Sequence, residues 1–391
     1  MLRLLIIARD QELRTHLRRI VERDPELLVI GEAQTGDEAL QCLQRDVPDA
    51  VLLDALLGRE DGLSVCRRLM SAQPVAIVML FQPGQSSADI AFRALQAGAI
   101  DVHPMPLSSP ENSFDRRERS GRHTPPLTSI SSAAEARVSS QDQAASSLRQ
   151  LLHQLLRASV PKLPAVSKHS EQPTSSSPGF TRPGLQARKL ELLMIGASTG
   201  GPTVLAQLLS AIPSPAPFAI VLVQHVASGF DEGLARWLKN SSKHDCQVLR
   251  SSRRLRAGDV VLAPDSQNIR FIAPMLLDLA SPTESLVQSK RNAAQEQGSD
   301  MVPSIDLCFA SAADHLQGAA MACLLSGMGR DGAVGMRRLR ERKCLTVAQA
   351  PESCVIDSMP SAAIEMGVDA ILEPNALAAL LSNCARASRP S

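Results

Sequence analysis

Aromatic residues are nearly missing: 2% of the chain, with no tyrosine and a single tryptophan. That removes the stacking platforms on which single-stranded nucleic acid is usually held. Net charge is missing too, since 41 Lys and Arg face 40 Asp and Glu for a balance of +1. No global field draws this protein to nucleic acid or to an anionic membrane. No apolar run reaches the roughly 18 residues of a membrane helix, and MLRLLIIARDQE turns charged too soon for a signal peptide. The 8 cysteines (Cys42, Cys66, Cys246, Cys308, Cys323, Cys344, Cys354 and Cys384) include no CxxC pair. Neither a metal site nor a disulfide framework is indicated, no cofactor is expected, and a reducing cytoplasm is the expected setting.

What the 391 residues do contain is two stretches of alternating strand and helix signals around a different middle. From 1 to 106 the runs LRLLII, LLVIGEA, DAVLLDAL, VAIVML and AIDVHPMP read as strands, with amphipathic helical spacing between them. Strands that alternate with helices predict a parallel sheet covered on both faces by right-handed crossovers. Residues 107–188 carry 25 Ser and Pro among 82 positions, too few apolar groups to offset ordering entropy, and read as a flexible linker. Within it Leu148, Leu151, Leu152, Leu155 and Leu156 mark an amphipathic helix over 148–157, expected to pack on a neighbouring domain or to dock a partner. Residues 189–391 return to the alternation with ELLMIG, AIVLVQ, DVVLAP, NIRFIA, MACLLS and CLTVAQ as strands. The fold class is therefore α/β, two doubly wound parallel-sheet domains joined by a Ser/Pro-rich linker.

Three clusters in the second domain carry chemistry. In LLMIGASTGGPTVLAQLL a strand runs into a small-residue turn and then a helix, placing Ser198 and Thr199 at a strand end before a helix N-terminus. Anion binding by turn amides, a nucleophilic serine and a plain turn are all compatible with that string. In AIVLVQHVASGF, His225 directly follows a strand, at the edge where open α/β sheets bind ligands; a satisfied structural histidine is the alternative. In MACLLSGMGRDGAVGM, Asp331 stands near a helix start, as an N-cap or as a carboxylate that orients a histidine. Together they offer a serine, an imidazole and a carboxylate on one rim of one sheet.

IGASTGGP, QHVASGF, LRAGDVVLAP, VPSIDLCFASAA and LLSGMGRDGAVGM, in this order and spacing over about residues 190–375, resemble the chemotaxis protein-glutamate methylesterase family (CheB-type). The resemblance implies Ser198 as nucleophile, His225 as general base and acid, Asp331 as the orienting carboxylate, Thr199 as a positioning residue and the Met328 amide as an oxyanion donor. It implies γ-glutamyl methyl esters on cytoplasmic chemoreceptor helices as substrate, with methanol and glutamate as products and glutamine deamidation in some members. A chemotaxis histidine kinase is a further candidate partner; nucleic acid and membrane insertion are not expected. Asn268 stands where the family commonly has His, and VIDSMP replaces a small-residue turn before a Met-Pro pair.

The first domain resembles a phosphorylation receiver, with Asp54 at the phosphoacceptor position. The rest of that pocket departs from the pattern. Ala8 and Arg9 replace the paired acids, with Asp10 one place late; Phe81 replaces the hydroxyl residue, and Met105 the lysine before Pro106. A receiver that is regulatory but not phosphorylated in the ordinary way is expected, with Arg9 pairing with Asp54 in place of a metal. The alternative function is a non-catalytic signalling regulator that binds receptor or kinase; a nucleotide-binding protein is the more distant one.

Overall fold

The computed structural model describes residues 1–58, 60–82, 87–106, 144–153, 155–156, 187–280 and 301–388. Most of the expected linker lies outside them. The chain divides into two compact units, Met1–Ser87 with Ala97–Val166, and Ala88–Gln96 with Ser167–Ser391.

The first sheet is built from β1 (Leu2–Ile7), β2 (Leu27–Ala33), β3 (Ala50–Asp54), β6 (Ala76–Phe81) and β7 (Asp101–Pro104), in the order β2-β1-β3-β6-β7. A two-residue pair, β4 (Leu56–Leu57) with β5 (Glu60–Asp61), follows β3. All neighbours in the five-stranded sheet are parallel. Pro104 is tolerated because β7 is an edge strand, with no neighbour waiting for the missing N–H. Helices α1 (Gln11–Val21), α2 (Gly36–Arg45), α3 (Gly62–Ala72) and α4 (Ser87–Gln96) come between the strands in the chain. Asp10, Thr35 and Asp61 cap the first three, each accepting a backbone N–H of the first turn.

Residues 144–153 and 155–156 are helical. Leu148, Leu151, Leu152 and Leu155 of this stripe are buried, and Leu156 is half-buried. The helix is tied down at both ends. Ser147 Oγ lies 3.0 Å from His103 Nε2 on β7, and His153 meets Asp24 beyond α1. The first unit thus takes in this helix, beyond the expected limit at 106.

In the second unit, β8 (Leu192–Ala197), β9 (Ala219–Gln224), β10 (Cys246–Val248), β12 (Val260–Leu262), β15 (Ala320–Leu324), β16 (Leu345–Gln349) and β17 (Ala370–Leu372) form a seven-stranded sheet, ordered β10-β12-β9-β8-β15-β16-β17. Every neighbouring pair is parallel. The strands β8, β9, β12, β15 and β16 are buried along their whole length, as near-continuous apolar runs of a covered parallel sheet must be. Helices α5 (Gly201–Ser210), α6 (Asp231–Ser242), α7 (Ile305–His315), α8 (Ala333–Glu341), α9 (Ser358–Met366) and α10 (Pro374–Ser388) complete the unit. One expected strand does not join this sheet: β13 (Ile269–Ala273) pairs antiparallel with β14 (Leu276–Leu279), which pairs with β11 (Arg253–Arg254). Only β10, β12 and β9 extend one side of β8; β15, β16 and β17 extend the other. The direction of winding therefore reverses at β8, and ligands of open α/β sheets gather at the strand C-termini of such a reversal.

The eight cysteines are free, and all but Cys42 are buried. Among the described residues no helix is long and apolar enough to cross a membrane.

Candidate active site

Ser198 and His225 are the first residues past β8 and β9. The two strands stay in register to their last pair, Ala197 with Gln224, so the serine and the histidine follow side by side. Adjacent strands run about 4.8 Å apart, so the two backbones leave the sheet side by side; among the described residues no hydrogen bond joins the Ser198 and His225 side chains. The His225 N–H donates to Ala197 O at 3.0 Å, extending the ladder one step into the site. Gln224, 1% exposed, locks the pair from below: its Nε2 donates to Ser198 O and to His225 O, each at 2.9 Å. The sequence offered no sign of that role, because a glutamine at the end of an apolar strand has no distinctive spacing.

Asp331 completes the group. His225 Nε2 donates to Asp331 Oδ2 at 3.0 Å, and the two side chains are 5% and 1% exposed. The other ring nitrogen, Nδ1, is buried and meets no hydrogen-bond partner among the described residues. With Nε2 carrying the proton towards the carboxylate, Nδ1 is left as the acceptor.

The carboxylate is not an N-cap of the helix that follows it; it caps a different helix. Asp331 accepts the N–H groups of Ile305 (2.7 Å) and Asp306 (3.0 Å) and the Ser304 hydroxyl (3.2 Å) at the start of α7. Four donors, His225 Nε2 among them, and the positive end of a helix dipole fix its position and direction. Asp306 returns the arrangement, accepting the Gly335 N–H at 2.7 Å in the first turn of α8. Burial, and then the neighbouring Asp331, push Asp306 up to about 7, against the pull of the amides at the α8 start. Asn268, 5% exposed, steadies the cap from behind, its Oδ1 accepting the Ser304 N–H at 2.6 Å.

The loop after β15 closes over the serine. A Cβ on Gly327 would lie 2.7 Å from Ser198 Cβ, so only glycine allows this approach. The Ser198 N–H is donated to Ser326 O at 3.0 Å, and the Thr199 carbonyl accepts the Ser326 hydroxyl at 2.8 Å. Met328 is half-buried beside this contact, and its N–H meets no acceptor among the described residues.

Two family models match the chain: CheB methylesterase over residues 193–381 and the response regulator receiver domain over residues 4–110. A protein-glutamate methylesterase/protein-glutamine glutaminase of Hahella chejuensis is 33% identical over 380 residues, covering 97% of each chain. One of Burkholderia orbicola is 32% identical over 358 residues, 92% of this chain and 90% of its own. The chain belongs to the CheB methylesterase family. It is a hydrolase with a receiver domain at its N-terminal end. The solved catalytic domain of Thermotoga maritima CheB methylesterase is 26% identical, covering 49% of this chain and 99% of that one, with a TM-score of 0.42.

The receiver pocket is built differently from expectation. Asp54, 8% exposed, ends β3, and its Oδ1 accepts the Leu56 N–H at 2.9 Å. Arg9 does not pair with it; its guanidinium packs on Gly58 and fills the space a Cβ would need there. A long side chain next to a carboxylate in sequence order need not point at it, and here the turn after β4 offers the nearer surface. Asp10 is engaged as the cap of α1, accepting the Glu12 N–H at 2.8 Å. Burial pushes Asp54 up to about 6, and Asp10 adds to the rise. Mg²⁺ is held by ionised carboxylates and other oxygens in octahedral array. A carboxylate bonded to the Leu56 N–H, a carboxylate spent as a helix cap and an arginine do not fit that requirement.

Proposed function

We propose that this protein hydrolyses γ-glutamyl methyl esters on the cytoplasmic helices of chemoreceptors, with Ser198, His225 and Asp331 as the catalytic groups. The supporting observation is the His225–Asp331 bond, made through Nε2, which leaves a buried Nδ1 with no partner among the described residues, on the residue that follows β9 as Ser198 follows its neighbour β8.

In this reading Nδ1 takes the Ser198 proton as Oγ bonds to the ester carbon, and the carbonyl electron pair moves onto oxygen. The Met328 N–H receives that oxyanion, the Ser198 amide being committed to Ser326. Collapse breaks the bond to methoxide, which leaves as methanol with the proton from His225. Water then repeats the sequence on the acyl-enzyme, releasing glutamate. Asp331 holds the ring in place and stabilises the imidazolium that forms. Glutamine deamidation, which the relatives' names also carry, uses the same steps with ammonia as leaving group.

Methanol release from a methylated receptor fragment tests this reading. Wild-type protein is expected to turn over and Ser198→Ala to lose activity by at least about 10⁴-fold with its fold intact. Ester hydrolysis retained in that variant removes the assignment.

The receiver belongs to the same proposal as a regulatory domain outside ordinary aspartyl phosphorylation, with the departures at Ala8, Arg9, Phe81 and Met105 and the raised Asp54 in support. Incubation with acetyl phosphate and Mg²⁺ is expected to leave the mass of the full chain unchanged. A stoichiometric adduct that disappears in Asp54→Asn overturns this part alone.

A further inference from the structure

The turn that carries Met328 is gripped on both sides by a single hydroxyl. Ser358 Oγ, at the first position of α9, accepts the Gly329 N–H at 3.0 Å and donates to Gly327 O at 3.0 Å. Gly327 O also accepts the Met359 N–H at 3.1 Å, and the Gly327 N–H donates to Ile356 O at 2.9 Å.

Gly327 O and the Met328 N–H belong to one peptide unit. In a planar trans peptide the two point in opposite directions, so whatever holds the carbonyl also aims the amide. Two donors from the start of α9 draw the carbonyl towards that helix and turn the Met328 N–H away from it. The same turn contains Gly329 at φ +95°, a conformation glycine enters and leaves freely, so the peptide needs an outside restraint.

We infer that Ser358 is a positioning residue for ester hydrolysis, its hydroxyl locking the Gly327–Met328 peptide so that the Met328 N–H stands ready for the oxyanion formed at Ser198. The inference rests on the esterase reading above and deepens it. Without the hydroxyl, the Met359 N–H alone holds Gly327 O, and Gly329 loses its acceptor. The Met328 amide then spends part of its time turned from the site, which weakens the transition state and leaves substrate binding alone.

Steady-state methanol release by the full chain tests this with Ser358→Ala and Ser358→Thr. Ser358→Ala is expected to lower kcat roughly 10- to 100-fold, less than outright loss of an oxyanion donor. KM stays within about twofold, and the acid limb of the pH profile does not move, because His225 and Asp331 are untouched. Ser358→Thr, which keeps the hydroxyl, recovers most of kcat. If Ser358→Ala does not fold, Ser358→Cys keeps the side-chain size with far weaker bonds and is expected to show the same kcat loss. A kcat within twofold of wild type in the folded alanine or cysteine variant, or a loss carried wholly by KM, overturns the inference. Silence of the wild type, or activity in Ser198→Ala, removes the underlying reading and shows itself with Ser358 in place, so the two failures are told apart.

Discussion

Each unit places a buried aspartate at the C-terminal rim of a parallel sheet, and the two are treated in opposite ways. Asp331 collects four donors: an imidazole, a hydroxyl and two helix N–H groups. Asp54 collects the Leu56 N–H and is pushed up to about 6. A carboxylate withdrawn from water is expensive unless donors replace the solvent it loses. The second unit supplies them and obtains a carboxylate fixed in position and direction; the first supplies fewer, and burial leaves its carboxyl raised to about 6. The lesson is that position on the rim does not make a site. The donors converging on the position do, and they come from elements distant in sequence, Ser304 to Asp306 in the case of Asp331.

That contrast can be broken most severely at Asp331. Asp331→Asn keeps the shape but offers its NH₂ group where Asp331 now accepts, so the histidine loses its orientation. A fall in kcat of about 10⁴ is expected, with a lowered thermal midpoint because the α7 cap is weakened as well. A loss below about tenfold means that His225 does not depend on this carboxylate. Gln224→Ala comes next. It leaves Ser198 O and His225 O without their shared donor and is expected to cost about 1–3 kcal/mol of stability and roughly tenfold in kcat. Unchanged kcat in a folded Gln224→Ala protein means the strand ladder alone holds the two residues.

The smallest effect lies at Asp54. Its folded-state value lies above the ordinary carboxylate range, so its stabilising contribution is complete below about pH 4 and is lost as pH rises through about 6. Asp54→Asn is expected to remove about 1–2 kcal/mol of that pH dependence, allowing for solvent screening at the pocket mouth. Urea unfolding of the full chain at pH 4.5 and pH 7 reads the difference, and an unaltered pH dependence would show Asp54 to be ionised throughout.

Much of this was legible in the linear pattern, for a physical reason. Buried parallel strands must be apolar along their length, so LLMIGA, AIVLVQ and MACLL declare themselves, and the polar residue that follows each run lands on the rim. Ser198 and His225 were found that way; Asp331, several residues past its strand, was read from its place near a helix start. Partnership was not legible. β13 reads as one more strand, and nothing in IRFIA says that it turns back on β14 rather than joining the main sheet. Asp331 reads as an N-cap of the nearer helix or as a carboxylate that orients a histidine, yet the helix it caps is α7, because the contact depends on how α7 and α8 pack. Arg9 reads as a cationic partner for Asp54, but where a long flexible side chain points is decided by the surface around it. Ser358 lies in the VIDSMP segment that stood out, but its role was not legible, since a hydroxyl that grips a turn has no spacing of its own.

The most direct measurement is the site of covalent modification when the full chain meets a fluorophosphonate that reacts only with an activated hydroxyl. The account predicts a single adduct on Ser198, formed much more slowly when His225 is replaced by glutamine. An adduct on any other residue, or one on Ser198 that forms just as fast without His225, contradicts it.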